Sequence, residues 1–282
     1  MKVLVIGANG ALGSDLVRVL PDVVSATHAQ LDIVDAQACA TFIEESGVEA
    51  VVNTAAFHRV PDCEAEFAAA FEVNVIGPRN LAQICAKRKI HLCHISTDYV
   101  FDGEKGSPYL EDDPCHPLSI YAISKLAGEH AVAAYGDNFS IVRSCGLYGR
   151  VPTRAKGGNF INTMLKLGRE RELVTVVNDE FVAPTYTYDL AKAIAALLEA
   201  GGRGIFHVAN AGETNWFEFA QVIFEYCKLP ARLEPTVASA FQSLVRRPAY
   251  SILDCARFKQ VSGFDLPHWK DALLRHLAEL EE

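Results

Sequence analysis

The chain opens Met1-Lys2-Val3-Leu4-Val5-Ile6 and runs straight into Gly7-Ala8-Asn9-Gly10-Ala11-Leu12-Gly13. A continuous β-branched and leucine run reads as a strand buried on both faces. Leu12, Leu16, Val19 and Leu20 then recur at helical spacing, and Pro21 closes that helix. Strand, glycine loop and helix in this order commit the N-terminus to an α/β unit. Glycines let a backbone turn tightly and approach a pyrophosphate, and the helix start adds N–H groups and positive potential. The spacing Gly7-x-x-Gly10-x-x-Gly13 is not the Gly-x-Gly-x-x-Gly of many dinucleotide sites. Asn9 tolerates left-handed backbone. An ordinary glycine-rich turn would look alike locally, so the rest of the chain decides.

Strand and helix signals keep alternating. Strands are expected at Val23–Ala26, Ala50–Asn53, His91–Ile95 and Ser140–Arg143, with helices at 36–45, 67–89 and 121–135. Such alternation predicts a Rossmann-type, doubly wound parallel sheet in an α/β protein, with ligands at the carboxyl ends of the strands. After about residue 145 the alternation loosens. Gly157-Gly158-Asn159 reads as a turn before a helix, and the tail from 230 as turns and a last helix. The expected division is a dinucleotide-binding domain over 1–145 and a smaller substrate-binding lobe over 146–282. Segments near 174–208 are expected to return to the large sheet.

The formal charge of −9 argues against a general nucleic-acid or anionic-membrane binder. The eight cysteines form no Cys-x-x-Cys pair and no zinc-like spacing with His, so no metal is expected. They read as reduced thiols of a cytoplasmic protein, and no apolar run reaches the roughly 20 residues of a membrane span.

Tyr121-Ala-Ile-Ser-Lys125 places a phenol and an ammonium four residues apart, which stacks them on one helix face. A free phenol, with a pKa of about 10, exchanges protons poorly at neutral pH, and a nearby lysine favours the phenolate. Thr97, in Ser96-Thr97-Asp98 at a strand end, could hold a carbonyl oxygen against that phenol. These residues suit proton transfer to or from a sugar or alcohol oxygen, beside a hydride carrier in the glycine loop. The second strand ends Ser25-Ala26-Thr27-His28 without the acid that selects NAD, which favours NADP and leaves NAD open. Small residues at Asn53-Thr-Ala55-Ala56 would let a cofactor lie on the backbone. Asn74 inside a long helix either bonds backbone near the site or is exposed. His91 and His94 read as core or surface histidines, and Trp216 and Phe217 as core. Arg247 could clamp a diphosphate or make a surface ion pair.

Taken in order, Gly-x-x-Gly-x-x-Gly, Asn-x-Ala-Ala, Ser96-Thr-Asp-Tyr-Val-Phe-Asp-Gly103 and Tyr-x-x-x-Lys resemble an extended short-chain dehydrogenase/reductase. More narrowly the chain resembles the dTDP-4-dehydrorhamnose reductase family, through Leu31-Asp32-Ile33, Ser124–Glu129, Gly158-Asn159-Phe160, Pro184-Thr185, Asp189-Leu190-Ala191 and Arg247-Pro248. The resemblance implies NADPH-dependent reduction of a 4-keto group on a nucleotide-linked deoxysugar, dTDP-4-dehydrorhamnose foremost, by a monomer or homodimer. It implies that Gly7, Asn9, Gly10, Ala11, Leu12 and Gly13 cradle the pyrophosphate. Asp32 and Ile33 would lie near the adenosine, and Ala55, Ala56, Phe57 and Asn74 would line the cofactor. Tyr121 would be the general acid, Lys125 the ribose contact, and Thr97, Asp98, Tyr121, Gly146, Asn159 and Arg247 the sugar-nucleotide contacts.

Two segments depart from the family pattern. Gly146 stands where the family has a sugar-contacting Trp, and Asp179-Glu180-Phe181-Val182 replaces a segment with Gln and Gly. Both bear on which sugar is taken. A nucleotide-sugar epimerase or dehydratase with bound NAD is a second reading. Tyr99, where a dehydratase needs an acid, counts against the dehydratase. A non-catalytic regulatory protein of this fold is a third, and the presence of Tyr121 and Lys125 counts against it.

Overall fold

The computed structural model describes residues 1–151, 158–241 and 245–281. Gly157, expected to open a turn, lies outside these residues. The strands are β1 (Val3–Ile6), β2 (Val23–Ala26), β3 (Ala50–Asn53), β4 (His91–Thr97), β5 (Phe139–Ser144), β6 (Leu173–Val177), β7 (Phe181–Val182), β8 (Gly204–His207), β9 (Thr214–Asn215) and β10 (Arg232–Thr236). Six of them form one parallel sheet in the order β2-β1-β3-β4-β5-β8. The order reverses between β1 and β3, so a crevice opens at their carboxyl ends, where the glycine loop follows β1.

The strands are short and apolar because both faces are covered. On one face Val3, Val5, Val52, Ile95 and Val142 pack on α1 (Ala11–Val19) and α8 (Thr187–Glu199) through Leu12, Leu16, Leu190, Ile194 and Leu197. On the other face Leu4, Ile6, Val51, Leu92 and Ile141 meet α2 (Ala36–Ser46), α5 (Gly77–Arg88) and α6 (Ile120–Ala133) through Ile43, Leu81, Cys85 and Val132. Alternate residues of a strand face opposite ways, which is why β1 feeds both clusters.

Between β3 and α5 the chain forms α3 (Val60–Ala65) and α4 (Phe67–Phe71), then a π-helical turn, Glu72–Ile76. The expected helix over 67–89 is thus continuous but locally widened at Asn74. The smaller lobe has its own core, in which Ile161, Met164, Phe219, Ile223, Leu273 and Leu277 come together. It is built from α7 (Phe160–Glu170), α9 (Trp216–Cys227), α11 (Trp269–Glu279), β6 and β10, while α10 (Ala256–Ser262) packs against α8 and β8.

One sequence expectation needs correcting here. Of the stretch near 174–208, α8 and β8 join the large sheet, but β6 does not. It pairs in parallel with β10, Val174 against Leu233 and Val176 against Pro235. β6 alternates exposed Leu173 and Thr175 with buried Val174 and Val176, the pattern of a strand covered on one face only. Among the described residues no helix is long and apolar enough to cross a membrane, and no His/Cys/Asp/Glu group could hold a metal ion.

Candidate active site

The glycine loop is shaped for close approach. Gly7 has φ +81°, and a Cβ there would lie 2.6 Å from Thr54 Oγ1. A Cβ on Gly13 would fall 2.2 Å from the Gly7 carbonyl oxygen, so helix and loop touch without a side chain between them. Gly10 is the N-cap of α1 and no side chain caps that helix, so its first N–H groups face the crevice uncovered by protein groups of the cap. Asn9 is not in the left-handed region; Gly7 carries the positive φ of this loop. The Leu12 side chain is core, which leaves its backbone as the part available to a phosphate. Loop and helix start together fit a pyrophosphate.

Around the loop, Asp32 is exposed and its carboxylate accepts from the Val34 N–H at 3.0 Å. Ile33 is buried, with its side chain packed where a Gly77 Cβ would stand. Ile33 therefore supports the pocket from beneath, and Asp32 is the member of the pair that can meet a ligand. Thr27, after β2, bonds Gln30 through both its N–H and its hydroxyl, which fixes the turn beside exposed His28.

Ala55, Ala56 and Phe57 leave β3 half-buried along the crevice. Asn74 holds them. Its Oδ1 accepts from the Phe57 N–H, and its Nδ2 donates to the Phe57 carbonyl and to Ser124 Oγ, all at 2.9 Å. Its amide is used up by these bonds, so it braces the cofactor-lining segment and the catalytic helix rather than reaching a cofactor. The π turn aims it there.

Tyr121 and Lys125 lie on α6, whose first turn is capped by Ser119 Oγ accepting from the Ala122 N–H. Burial pushes the Tyr121 phenol up, against the pull of the Thr97 hydroxyl facing it. The expected push toward phenolate by Lys125 is not found. Lys125 is 2% exposed, and its ammonium nitrogen is drawn to β4, 2.7 Å from the Ile95 carbonyl and 3.3 Å from His94 Nε2. Burial brings Lys125 down to about 8, against the charge of Glu129. Thr97 donates to Asp98 Oδ1 at 3.0 Å and accepts from the Tyr99 N–H at 3.2 Å. Burial raises the Asp98 carboxyl to about 7. The Ser251 hydroxyl pulls the other way but not in hydrogen-bonding geometry to Oδ2, which is buried and unpartnered among the described residues.

Beneath the site a buried pair ties α6 to β5. Arg143 Nη2 meets Glu129 Oε2 at 2.7 Å, and Glu129 also accepts from Ser96 Oγ. Ser144 stands level with Thr97 across the sheet, so both side chains leave the same face. Its Oγ is buried and without a hydrogen-bond partner among the described residues, and nothing in the sequence reading singled it out. Its position at a strand's carboxyl end was the available signal.

Gly146 has φ +55°. A Cβ there would lie 3.0 Å from Pro184 Cα and 3.5 Å from Trp216 Cη2. The absence of a side chain is thus built into the backbone, and Trp216, tilted 38° against Phe160 with ring centroids 4.7 Å apart, closes that side from α9. Asn159 caps α7 in a reciprocal box with Asn162, and its Nδ2 donates to Gly149 O, so these bonds fix its side chain at the head of that helix.

Arg247 is exposed and faces Glu180, lowering a carboxyl that burial raises. Both line a cavity of about 450 Å³ with Asp102, Gly103 and Phe241. That cavity does not reach Tyr121. Tyr99 spans the interval, edge-on to the Tyr121 ring at 6.2 Å and within the field of Arg247. The geometry therefore offers a proton donor and hydroxyl at the strand ends, a dinucleotide loop on one side, and on the other a cavity of mixed charge, with Arg246 and Arg247 beside Asp102, Glu104 and Glu180.

A family model described as the RmlD substrate binding domain matches residues 1–282. The chain is 39% identical to a dTDP-4-keto-6-deoxy-D-glucose reductase of Streptomyces niveus, over 96% of this chain and 94% of that one. It is 40% identical to a dTDP-4-dehydrorhamnose reductase of Streptomyces griseus, over 96% of this chain and 91% of that one. The solved structure of a dTDP-4-dehydrorhamnose reductase from Bacillus anthracis, in complex with NADP, matches with a TM-score of 0.93 at 35% identity, over 99% of this chain and all of that one.

Proposed function

Because this chain belongs to the RmlD substrate-binding-domain family, we propose that it reduces the 4-keto group of a dTDP-linked 6-deoxysugar with NADPH, and that dTDP-4-dehydrorhamnose is its substrate. One observation carries the reading: a half-buried, protonated Tyr121 faces the Thr97 hydroxyl at a strand end, beside a glycine loop whose helix start carries no side-chain cap. NADPH supplies the hydride when bound, and Gly7, Gly10, Ala11 and Gly13, with the backbone of Leu12, are the residues that would hold its pyrophosphate. NADPH rather than NADH is favoured by the missing acid after β2. Asp32 and Ala55 to Phe57 would flank the rest.

On the protein side, Tyr121 donates its proton to the ketone oxygen as negative charge grows there. Its raised affinity for the proton keeps it in the acid form until that moment. Thr97 holds the oxygen at the phenol, and Asp98 and Ser144 offer hydrogen-bonding atoms to sugar hydroxyls. Arg247 in its cavity is placed for the diphosphate. In this reading residues 1–145 carry the cofactor and 146–282 choose the sugar. The protein works in the cytoplasm, which agrees with its eight free cysteines.

The test is loss of NADPH absorbance with a panel of dTDP-, UDP- and GDP-linked 4-keto sugars. Turnover of the dTDP-linked 4-keto-6-deoxysugar, with dTDP-rhamnose as product, is expected. No consumption of NADPH or NADH with any member of the panel overturns the assignment.

A further inference from the structure

Lys125 is a buried lysine whose polar partners among the described residues lie on β4, not on a carboxylate. Glu129, one turn along α6, is engaged by Ser96 and Arg143. What Lys125 meets instead is the end of a directed chain of hydrogen bonds. The chain starts at the crevice, where the Ala55 N–H donates to Asn53 Oδ1 at 3.1 Å. That bond fixes which way the Asn53 amide points. Its nitrogen then lies 3.2 Å from His94 Nδ1, so Nδ2–H donates and Nδ1 must accept. His94 is fully buried, and that burial holds its imidazole well below the ordinary range, so it is neutral. Its one proton is therefore on Nε2, 3.3 Å from Lys125 Nζ. Nζ in turn donates to the Ile95 carbonyl at 2.7 Å.

Both ends of this chain are backbone groups, so its direction cannot reverse. An ammonium at Lys125 would set N–H against N–H. Moving the His94 proton to Nδ1 would only shift that clash to Asn53. A neutral amine satisfies every member, because its lone pair accepts from Nε2–H while one N–H still reaches Ile95 O.

We propose that His94, locked by Asn53 as the Nε2–H tautomer, is a positioning residue that turns a donor toward Lys125 and so favours its amine over its ammonium in the ligand-free protein. The titratable groups facing Lys125 are His94 from β4 and Glu129 from its own helix; Asp98 and Cys63 act on Tyr121 instead. The downward displacement of Lys125 by burial acts in the same direction. A ligand oxygen on Nζ would favour the ammonium, so the lysine takes up a proton as its ligand binds. Since Asn53 is read by Ala55, the segment that lines the crevice is joined to the lysine through two side chains, Asn53 and His94. The inference uses the placement of Lys125 and does not depend on which sugar is reduced.

The test uses nuclear magnetic resonance on the full chain, with ¹⁵N-labelled histidine and ¹³Cε-labelled lysine. Lys125→Met assigns the lysine signal and His94→Gln assigns His94. At neutral pH, His94 is expected to show a bare Nδ1 and a protonated Nε2, and Lys125 to titrate well below an ordinary lysine at about 10.4. In His94→Gln, whose carbonyl offers Nζ an acceptor, the Lys125 midpoint is expected to rise by about one unit, a tenfold gain in proton affinity. A proton on Nδ1, an ordinary Lys125 midpoint in the wild type, or an unmoved midpoint in a folded His94→Gln overturns the proposal. The wild-type measurements decide alone if the variant does not fold. These signals are read without turnover, so a protein that reduced no keto sugar would leave the result standing.

Discussion

Replacing Asn74 with Ala tests whether the π turn exists to brace the site. The amide makes three bonds of 2.9 Å, to both polar groups of the Phe57 peptide and to Ser124 Oγ, and it is fully buried. The losses are unequal. Ser124 keeps its bond to the Tyr121 carbonyl at 2.8 Å, and the Phe57 carbonyl keeps a weak one from Cys63 Sγ at 3.5 Å. The Phe57 N–H is left with no partner in view, which costs about 1–3 kcal/mol. The two weakened bonds add about 0.5–1.5 kcal/mol each, so Asn74→Ala should lose roughly 2–6 kcal/mol. Asn74→Asp restores an acceptor for the N–H but sets a carboxylate against the Phe57 carbonyl, and should be no better than Ala. Urea unfolding followed by circular dichroism measures the loss, provided the slope against denaturant is unchanged. A loss under about 0.5 kcal/mol in Asn74→Ala, or an Asp variant as stable as wild type, would show that the bonds do not brace this segment.

Tyr121→Phe should lower turnover by roughly 10²- to 10⁴-fold with dinucleotide affinity kept, as steady-state kinetics and calorimetric titration would show; near-normal turnover refutes the acid role. Gly146→Trp places a side chain at φ +55° beside Pro184, so its stability should fall by about 1–2 kcal/mol or more in the same urea assay, and an unchanged midpoint would remove the backbone argument. Asp98 has its folded pKa at about 7, above its ordinary value of 3.8. Below 3.8 it is protonated in both states. As pH rises the unfolded chain ionises first, so stability falls between about 4 and 7 and is level above. Asp98→Asn should remove that part of the slope in unfolding free energy against pH, and an identical slope in both proteins would contradict it.

Much of this was readable beforehand, for local reasons. β1, the glycine loop and α1 follow one another in sequence, so period and glycine spacing reveal them together. Tyr121 and Lys125 need only helical spacing. What escaped reading depends on partners far away. β6 looks like any short strand until β10, in a tail that reads as turns, comes to pair with it. Asn159 precedes a helix, and a cap and a ligand contact call for the same side chain there. The widening at Asn74 leaves no mark in apolar spacing. His94 read as a core or surface histidine, and only the direction of the Asn53 amide distinguishes it. The influence of Lys125 on Tyr121 was misjudged because spacing along a helix cannot tell that Nζ is drawn off to β4.

The displaced acidities of the site share one cause and one direction. Tyr121 and Asp98 are pushed up and Lys125 and His94 down, burial leading in each case. Every one is moved toward its neutral form. The strand ends thus enclose a pocket of low polarity in which isolated charge is expensive. An alkoxide forming there is poorly screened, so protonation by a nearby phenol is favoured more than it would be in water. The charges that do persist beneath the pocket, Glu129 and Arg143, are kept by bonding each other within the core. Removing one partner would strand the other, at a cost of about 3–5 kcal/mol, so this pair anchors α6 under Tyr121 without lending its charge to the chemistry.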